Sequence, residues 1–186
     1  MRTTTIVILT ASALAACEQQ KQPPQQQQQQ TSAPKFTVAG FRSLPKAADG
    51  AEGSGCLADA GALPDGAWFG FVRAWDPSGI DLDPACFYTG AAAAKEAAAR
   101  NDESPPPNDF FIANDSKTIR RIPVAPGAAA IRVTHNKDGG VMDQRTTYAD
   151  LIANPSTYQP CPAEFCTVWI YANGGAATEV QMQYLP

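Results

Sequence analysis

Between Glu18 and Lys35 the chain carries no aromatic or branched aliphatic side chain, and glutamine fills every position from Gln25 to Gln30. Such a segment cannot bury enough apolar surface to offset the entropy of ordering it, so a disordered tether is expected. That divides the 186-residue chain: whatever can build a core lies from Phe36 onward. About 150 residues then remain, enough for one domain that buries about 68–70% of its unfolded surface without help from a metal. As a flexible chain, the tether reaches roughly 20–25 Å, a spacer rather than a binding element.

Ahead of the tether, Arg2 supplies positive charge, Ile6 to Leu14 is a short apolar run, and Ala15 and Ala16 precede Cys17. This is the form of an export leader, with an apolar run too brief for a spanning helix. The four residues Leu14-Ala15-Ala16-Cys17 resemble a lipobox, the processing site of bacterial lipoproteins. The resemblance implies cleavage before Cys17, acylation of that cysteine, and anchoring to a lipid bilayer through two or more chains, where one chain would hold only marginally. The organisation expected is therefore a signal peptide over residues 1–16, a lipidated cysteine with its tether over 17–35, and a single globular domain over 36–186. By the same resemblance, glutamate rather than aspartate at Glu18 favours the outer membrane, facing the periplasm, in a Gram-negative cell.

Four further cysteines follow: Cys56, Cys86, Cys161 and Cys166. An even number in an exported chain reads as disulfides, and three connectivities are open. Cys56–Cys86 with Cys161–Cys166 is preferred, because the second pair closes a short Pro-containing loop and the first pins the Gly-rich stretch Asp49–Gly55 onto the sheet. No Cys-x-x-Cys knuckle exists to suggest zinc or redox chemistry.

Period-2 alternation marks strands at Trp68–Trp75, with Phe69, Phe71 and Trp75 on one face, and at Ile80–Leu82 after an Asp76-Pro77-Ser78-Gly79 turn. Thr89 can cap an alanine-rich helix running to about Asn101, before Pro105–Pro107 forbids continuation. Short strands follow at Phe110–Ala113, Ile119–Val124 and Ile131–Thr134. Thr146 or Thr147 can cap a short helix ending before Pro155. Two alternating runs around Asn173-Gly174-Gly175 read as a closing hairpin, with Val180, Met182 and Tyr184 on one face and Glu179, Gln181 and Gln183 on the other. The fold class expected is α+β, a mainly antiparallel sheet or small barrel of six or seven strands with two short helices.

From about Ala67 to Pro186 the chain resembles a small exported bacterial module known chiefly from hypothetical proteins and lipoproteins. The resemblance rests on Tyr88-Thr89-Gly90, the run Asn108–Asp115 (NDFFIAND), Ile119–Val124, and the hairpin from Val168-Trp169 to Gln183-Tyr184-Leu185-Pro186. It implies a domain type and no particular reaction.

Candidate chemistry is sparse. The formal charge of −4 becomes −5 when the +1 of Arg2 leaves with the leader, which gives no basic footprint for nucleic acid. His135, the single histidine, lies in a turn-rich stretch without the oriented partner that a catalytic base needs. Asp81 and Asp83 share a strand face opposite Ile80 and Leu82, where solvated carboxylates are expected; calcium binding together with Asp76, or acid–base work, is the sharper alternative. Lys117, Arg120 and Arg121 form the basic cluster, able to bind carboxylates or phosphates of envelope polymers or to pair with neighbouring acids. Trp68, Trp75 and Trp169 read as core more readily than as a carbohydrate-stacking surface. No metal or cofactor is expected. The reading that results is an anchored, non-enzymatic binding or scaffolding module with an envelope protein or polymer partner. A small anchored hydrolase using Asp81, Asp83 and Arg121 or His135, and an inhibitor or immunity-type protein acting on an exported partner, are the alternatives.

Overall fold

The computed structural model describes residues 44–56, 63–135, 138–154 and 166–185. Cys17, the tether and Cys161 lie outside the described residues. Eight strands and two helices are described: β1 (Gly66–Asp76), β2 (Gly79–Pro84), β3 (Cys86–Thr89), α1 (Gly90–Ala99), β4 (Phe110–Ala113), β5 (Arg120–His135), β6 (Val141–Thr147), α2 (Tyr148–Ala153), β7 (Thr167–Asn173) and β8 (Ala176–Met182). The fold is α+β, as the sequence pattern indicates.

Six strands form one sheet in the order β2-β1-β7-β8-β5-β6, and β2 also pairs with β5. That extra pairing closes β2, β1, β7, β8 and β5 into a five-stranded barrel and leaves β6 hanging on the outside of β5. All pairings are antiparallel except β5 with β8, which makes the sheet mixed. Inside the barrel, Val72, Ile80, Leu82, Ile122, Ile170 and Val180 are each no more than 2% exposed. Leu151 and Tyr148 of α2 belong to the same core. Thr147 caps that helix by accepting from the Asp150 amide, as the sequence suggests.

Two further layers are stacked on the barrel. β3 and β4 pair as an antiparallel ribbon. The ribbon's Phe87 packs against Phe69 of β1 and Trp169 of β7 at ring separations of 4.8 and 6.0 Å, and stacks on Phe110 at 5.4 Å. Beyond the ribbon, α1 buries Ala93 and Ala97, and Ala92 and Ala93 pack with Ala51, Tyr88 and Ala113; methyl-sized contacts let the helix lie close. The segment 44–56 is strapped across the ribbon. Its Glu52 amide donates to the Phe87 carbonyl at 2.7 Å, its Ser54 amide to Ala67 at 2.9 Å, and Cys56 is disulfide-bonded to Cys86. The preferred Cys56–Cys86 pairing is thus present and does pin the Gly-rich stretch. Cys166 is also disulfide-bonded.

Three sequence expectations change. The strand at β1 carries a bulge: its register with β2 shifts between Val72 and Ala74, leaving Arg73 unmatched. The extra residue inverts the alternation, so Phe69 and Phe71 face the ribbon while Trp75 packs against the barrel core. The two strands expected at Ile119–Val124 and Ile131–Thr134 are one 16-residue strand, β5. Its register with β8 shifts between Val124 and Ala129, and Gly127 sits there at φ +72°. Pro126-Gly127 is therefore a bend within a strand rather than its end. β6 has no counterpart among the strands expected from periodicity: VMDQRTT does not alternate, because six of its seven side chains are exposed and no face is selected for burial.

Trp169 is fully buried and Trp68 nearly so, in agreement with the core reading. The β8 faces separate as read, yet both are buried. Glu179, Gln181 and Gln183 are 6%, 2% and 4% exposed. Trp169 Nε1 donates to Gln183 Oε1 at 2.9 Å and the Tyr171 hydroxyl to Gln181 Oε1 at 3.3 Å, so the aromatic donors satisfy the amide acceptors.

Because Phe87 joins the barrel to the ribbon with no exposed surface, Phe87→Ala should cost about 3–5 kcal/mol of unfolding free energy in urea titration. Ile119→Ala, at a residue 55% exposed, should stay within about 0.5 kcal/mol of the parent.

Candidate functional site

Three of the charged side chains singled out from the sequence, Asp76, Asp81 and Arg121, gather along the line where β2 meets β5. Gly79, Ile80, Asp81 and Leu82 stand opposite Pro123, Ile122, Arg121 and Arg120. Alternation sends Ile80 and Ile122 inward and Asp81 and Arg121 outward. Gly79 has no choice of residue: a Cβ there would lie 2.7 Å from the Ile122 carbonyl oxygen and 2.8 Å from Arg121 Nε.

Arg121 is held from three directions. Its Nη2 lies 2.5 Å from Asp76 Oδ2 and donates to Ser78 Oγ at 2.9 Å, while Nη1 lies 3.2 Å from Asp81 Oδ1. Ser78 in turn donates to Asp76 Oδ1 through its hydroxyl at 2.6 Å and its amide at 2.7 Å. The Ser78 hydroxyl first, and Arg121 next, hold the Asp76 carboxyl well below its usual range. The Tyr148 hydroxyl, from the first turn of α2, shares its proton between the carbonyls of Asp76 and Gly79 at 3.0 and 3.1 Å. Burial, and then the Asp76 charge, push the Tyr148 phenol upward, so it stays a donor. A second acid is arranged in the same way: Thr146, Asn154 and Arg132 lower the Asp150 carboxyl at the start of α2.

Asp83 is elsewhere. β2 runs between β5 and β1, and whereas Asp81 reaches toward β5, Asp83 pairs with the bulged Arg73 of β1 at 2.5 Å. It also accepts from Asn114 Nδ2 at 3.2 Å and is 2% exposed. The expectation of a solvated face therefore fails at Asp83, because the residues after β4 cover it. The two aspartates that share an alternation phase thus serve different arginines. The bulge that frees Arg73 has no clear signature in the sequence.

Of the basic cluster, Arg121 is consumed by these ion pairs. Arg120, the preceding residue on the strand, points to the other face and is half-buried. Lys117 is exposed in the connection before β5. His135 is exposed at the far end of β5 from Arg121, opposite Val141. The structure therefore joins Arg121 to Asp76 and Asp81, and brings neither Asp83, Lys117 nor His135 to them. Among the described residues there is no group of three or more His, Cys, Asp or Glu side chains arranged to hold a metal ion. Sequence reading missed Arg73, Ser78 and Tyr148; Ser78 alone carries a signal, as the turn residue two positions after an aspartate.

No family model, no curated protein and no solved structure matches this chain.

This arrangement acts as a clasp on the barrel. Asp83→Ala, which strands the partly exposed Arg73, should cost about 1–3 kcal/mol, and Asp81→Ala, at an exposed pair, under about 1 kcal/mol in parallel urea titrations. The pH dependence has a definite sign. Folding lowers the Asp76 and Asp150 carboxyls from their usual value of 3.8. Their contribution is fully present above that value and is lost as pH falls through the lower folded-state values. The thermal midpoint should therefore drop as pH is taken below about 4, and Asp76→Asn should make that drop shallower.

Proposed function

We propose that this chain is a lipid-anchored lipoprotein of the bacterial cell envelope whose domain is a non-enzymatic binding or scaffolding module for an envelope protein or polymer. It is held to the bilayer by acylated Cys17 and faces the periplasm from the outer membrane if the cell is Gram-negative. The anchor is supported by Leu14-Ala15-Ala16-Cys17 and the Gln- and Pro-rich tether. The Cys56–Cys86 disulfide fits an oxidising compartment.

One observation carries the non-enzymatic half of this reading. Arg121, the cation on which a hydrolytic site at Asp81 would depend, is neutralised by Asp76 and Asp81 across the strand junction that closes the barrel. General acid–base catalysis needs a group free to exchange protons near neutral pH. The Asp76 carboxyl is displaced in the opposite direction and the Tyr148 phenol away from it. These shifts favour a fixed ion-pair clasp over a reaction centre.

The test has two separate readouts on the membrane-extracted full chain. Intact mass without reduction should begin at Cys17 with added acyl chains and take up no alkylating reagent; a lipid-free mass overturns the anchor. In-cell cross-linking followed by partner identification should recover an envelope component. Turnover of a cell-wall polymer by the purified protein, abolished by Asp81→Asn, would overturn the binding-module reading in favour of a hydrolase. Capture of one exported enzyme whose activity is blocked would replace scaffolding by inhibition.

A further inference from the structure

Cys86 and Tyr88 lie two residues apart on β3 and so share the face of the ribbon opposite to Phe87. Cys86 is bonded to Cys56, at the end of the segment 44–56, and both cysteines are half-buried. The Tyr88 hydroxyl lies 3.1 Å from Cys56 Sγ. A disulfide sulfur carries no hydrogen, so the hydroxyl is the donor. Tyr88 is 5% exposed, and its single donor is spent on a weak acceptor. The same sulfur as a thiolate would be a strong one. We propose that Cys56–Cys86 is a thiol–disulfide exchange site, at which an external dithiol attacks Cys86 Sγ and Cys56 leaves as a thiolate held by the Tyr88 hydroxyl.

In the first step the incoming thiolate bonds to Cys86 Sγ as the disulfide breaks, and the electron pair of the broken bond leaves on Cys56 Sγ. The second thiol of the reductant then displaces Cys86. Two electrons and two protons pass in all to the two cysteines, and the dithiol ends as a disulfide. Exchange is faster when the departing thiol is the more acidic one, and a donor aimed at a sulfur makes it so. Burial, and then the Glu96 and Asp49 charges, push the Tyr88 phenol upward, so it keeps its proton and remains a donor. Asp49 opposes a thiolate on Cys56, but its two carboxylate oxygens accept from the Ala51 and Cys56 amides at 3.0 and 2.9 Å, which disperses that charge. The direct bond from Tyr88 outweighs it. Among the described residues no hydrogen bond reaches Cys86 Sγ. The fold favours the same direction, because Cys86 is fixed in β3 opposite Ala113 while the departing sulfur belongs to the segment laid across the ribbon. The sequence gives no sign of this site, since 30 positions separate the two cysteines.

The test uses the folded full chain without denaturant. Treated with glutathione and quenched by alkylation, it should carry glutathione on Cys86 and the alkyl group on Cys56, read by peptide mapping. With dithiothreitol, Tyr88→Phe should slow reduction of Cys56–Cys86 about tenfold relative to reduction of the bond at Cys166 in the same molecule. That internal reference separates loss of one hydrogen bond from a general loosening of the domain. Glutathione found on Cys56, or on both cysteines equally, would overturn the proposal. So would a bond reduced only once the domain unfolds, or a Tyr88→Phe chain whose ratio of the two rates matches the parent's.

Discussion

Closure of the barrel rests on four residue pairs between β2 and β5. Without them β5 would be held by β8 and β6 alone, and the five-stranded cylinder would open into a sheet with two more edges. Five strands make a tight barrel, so the closing strand must bend strongly to reach its partner. β5 does this with the register shift at Ala125–Ala128, where Gly127 takes a positive φ. The bend lets the first part of the strand serve β2 and the last part serve β6, with β8 alongside the middle.

Charge placement follows from that closure. At the outer face of the junction a cross-strand Asp81–Arg121 pair and the Asp76–Ser78 turn supply the polar half, while Ile80 and Ile122 supply the apolar half within. Neither half would suffice. Exposed ion pairs contribute little singly, but three anchors on one guanidinium fix its geometry. Tyr148 then ties the turn to α2, which itself belongs to the barrel core. Asp76, Asp81, Asp83 and Arg121 are thus spent on holding β1, β2 and β5 together. A cluster that looks chemically suggestive in one dimension is mechanically employed in three.

Much of this is legible in the sequence for physical reasons. The final hairpin, the Asp76–Gly79 turn and both helices depend on local chemistry: glycines at positive φ, the capping Thr147 of α2 and the alanine propensity of α1, where the Thr89 hydroxyl makes no cap bond and donates instead to Glu52. What local chemistry does not encode is missed. The Arg73 bulge inverts a strand's faces through a single residue, and nothing in Trp68–Trp75 marks it, since aromatic side chains occupy both faces. The burial of Asp83, Glu179, Gln181 and Gln183 arises because the barrel wall is covered on its outside as well as filled on its inside. A polar residue alternating with apolar ones then means a buried hydrogen bond as readily as a solvated surface.

β6 is the converse case and shows why an exposed edge strand escapes periodicity. Alternation records a demand that one face be apolar; a strand whose side chains nearly all meet water is under no such demand, and its sequence is free to record something else.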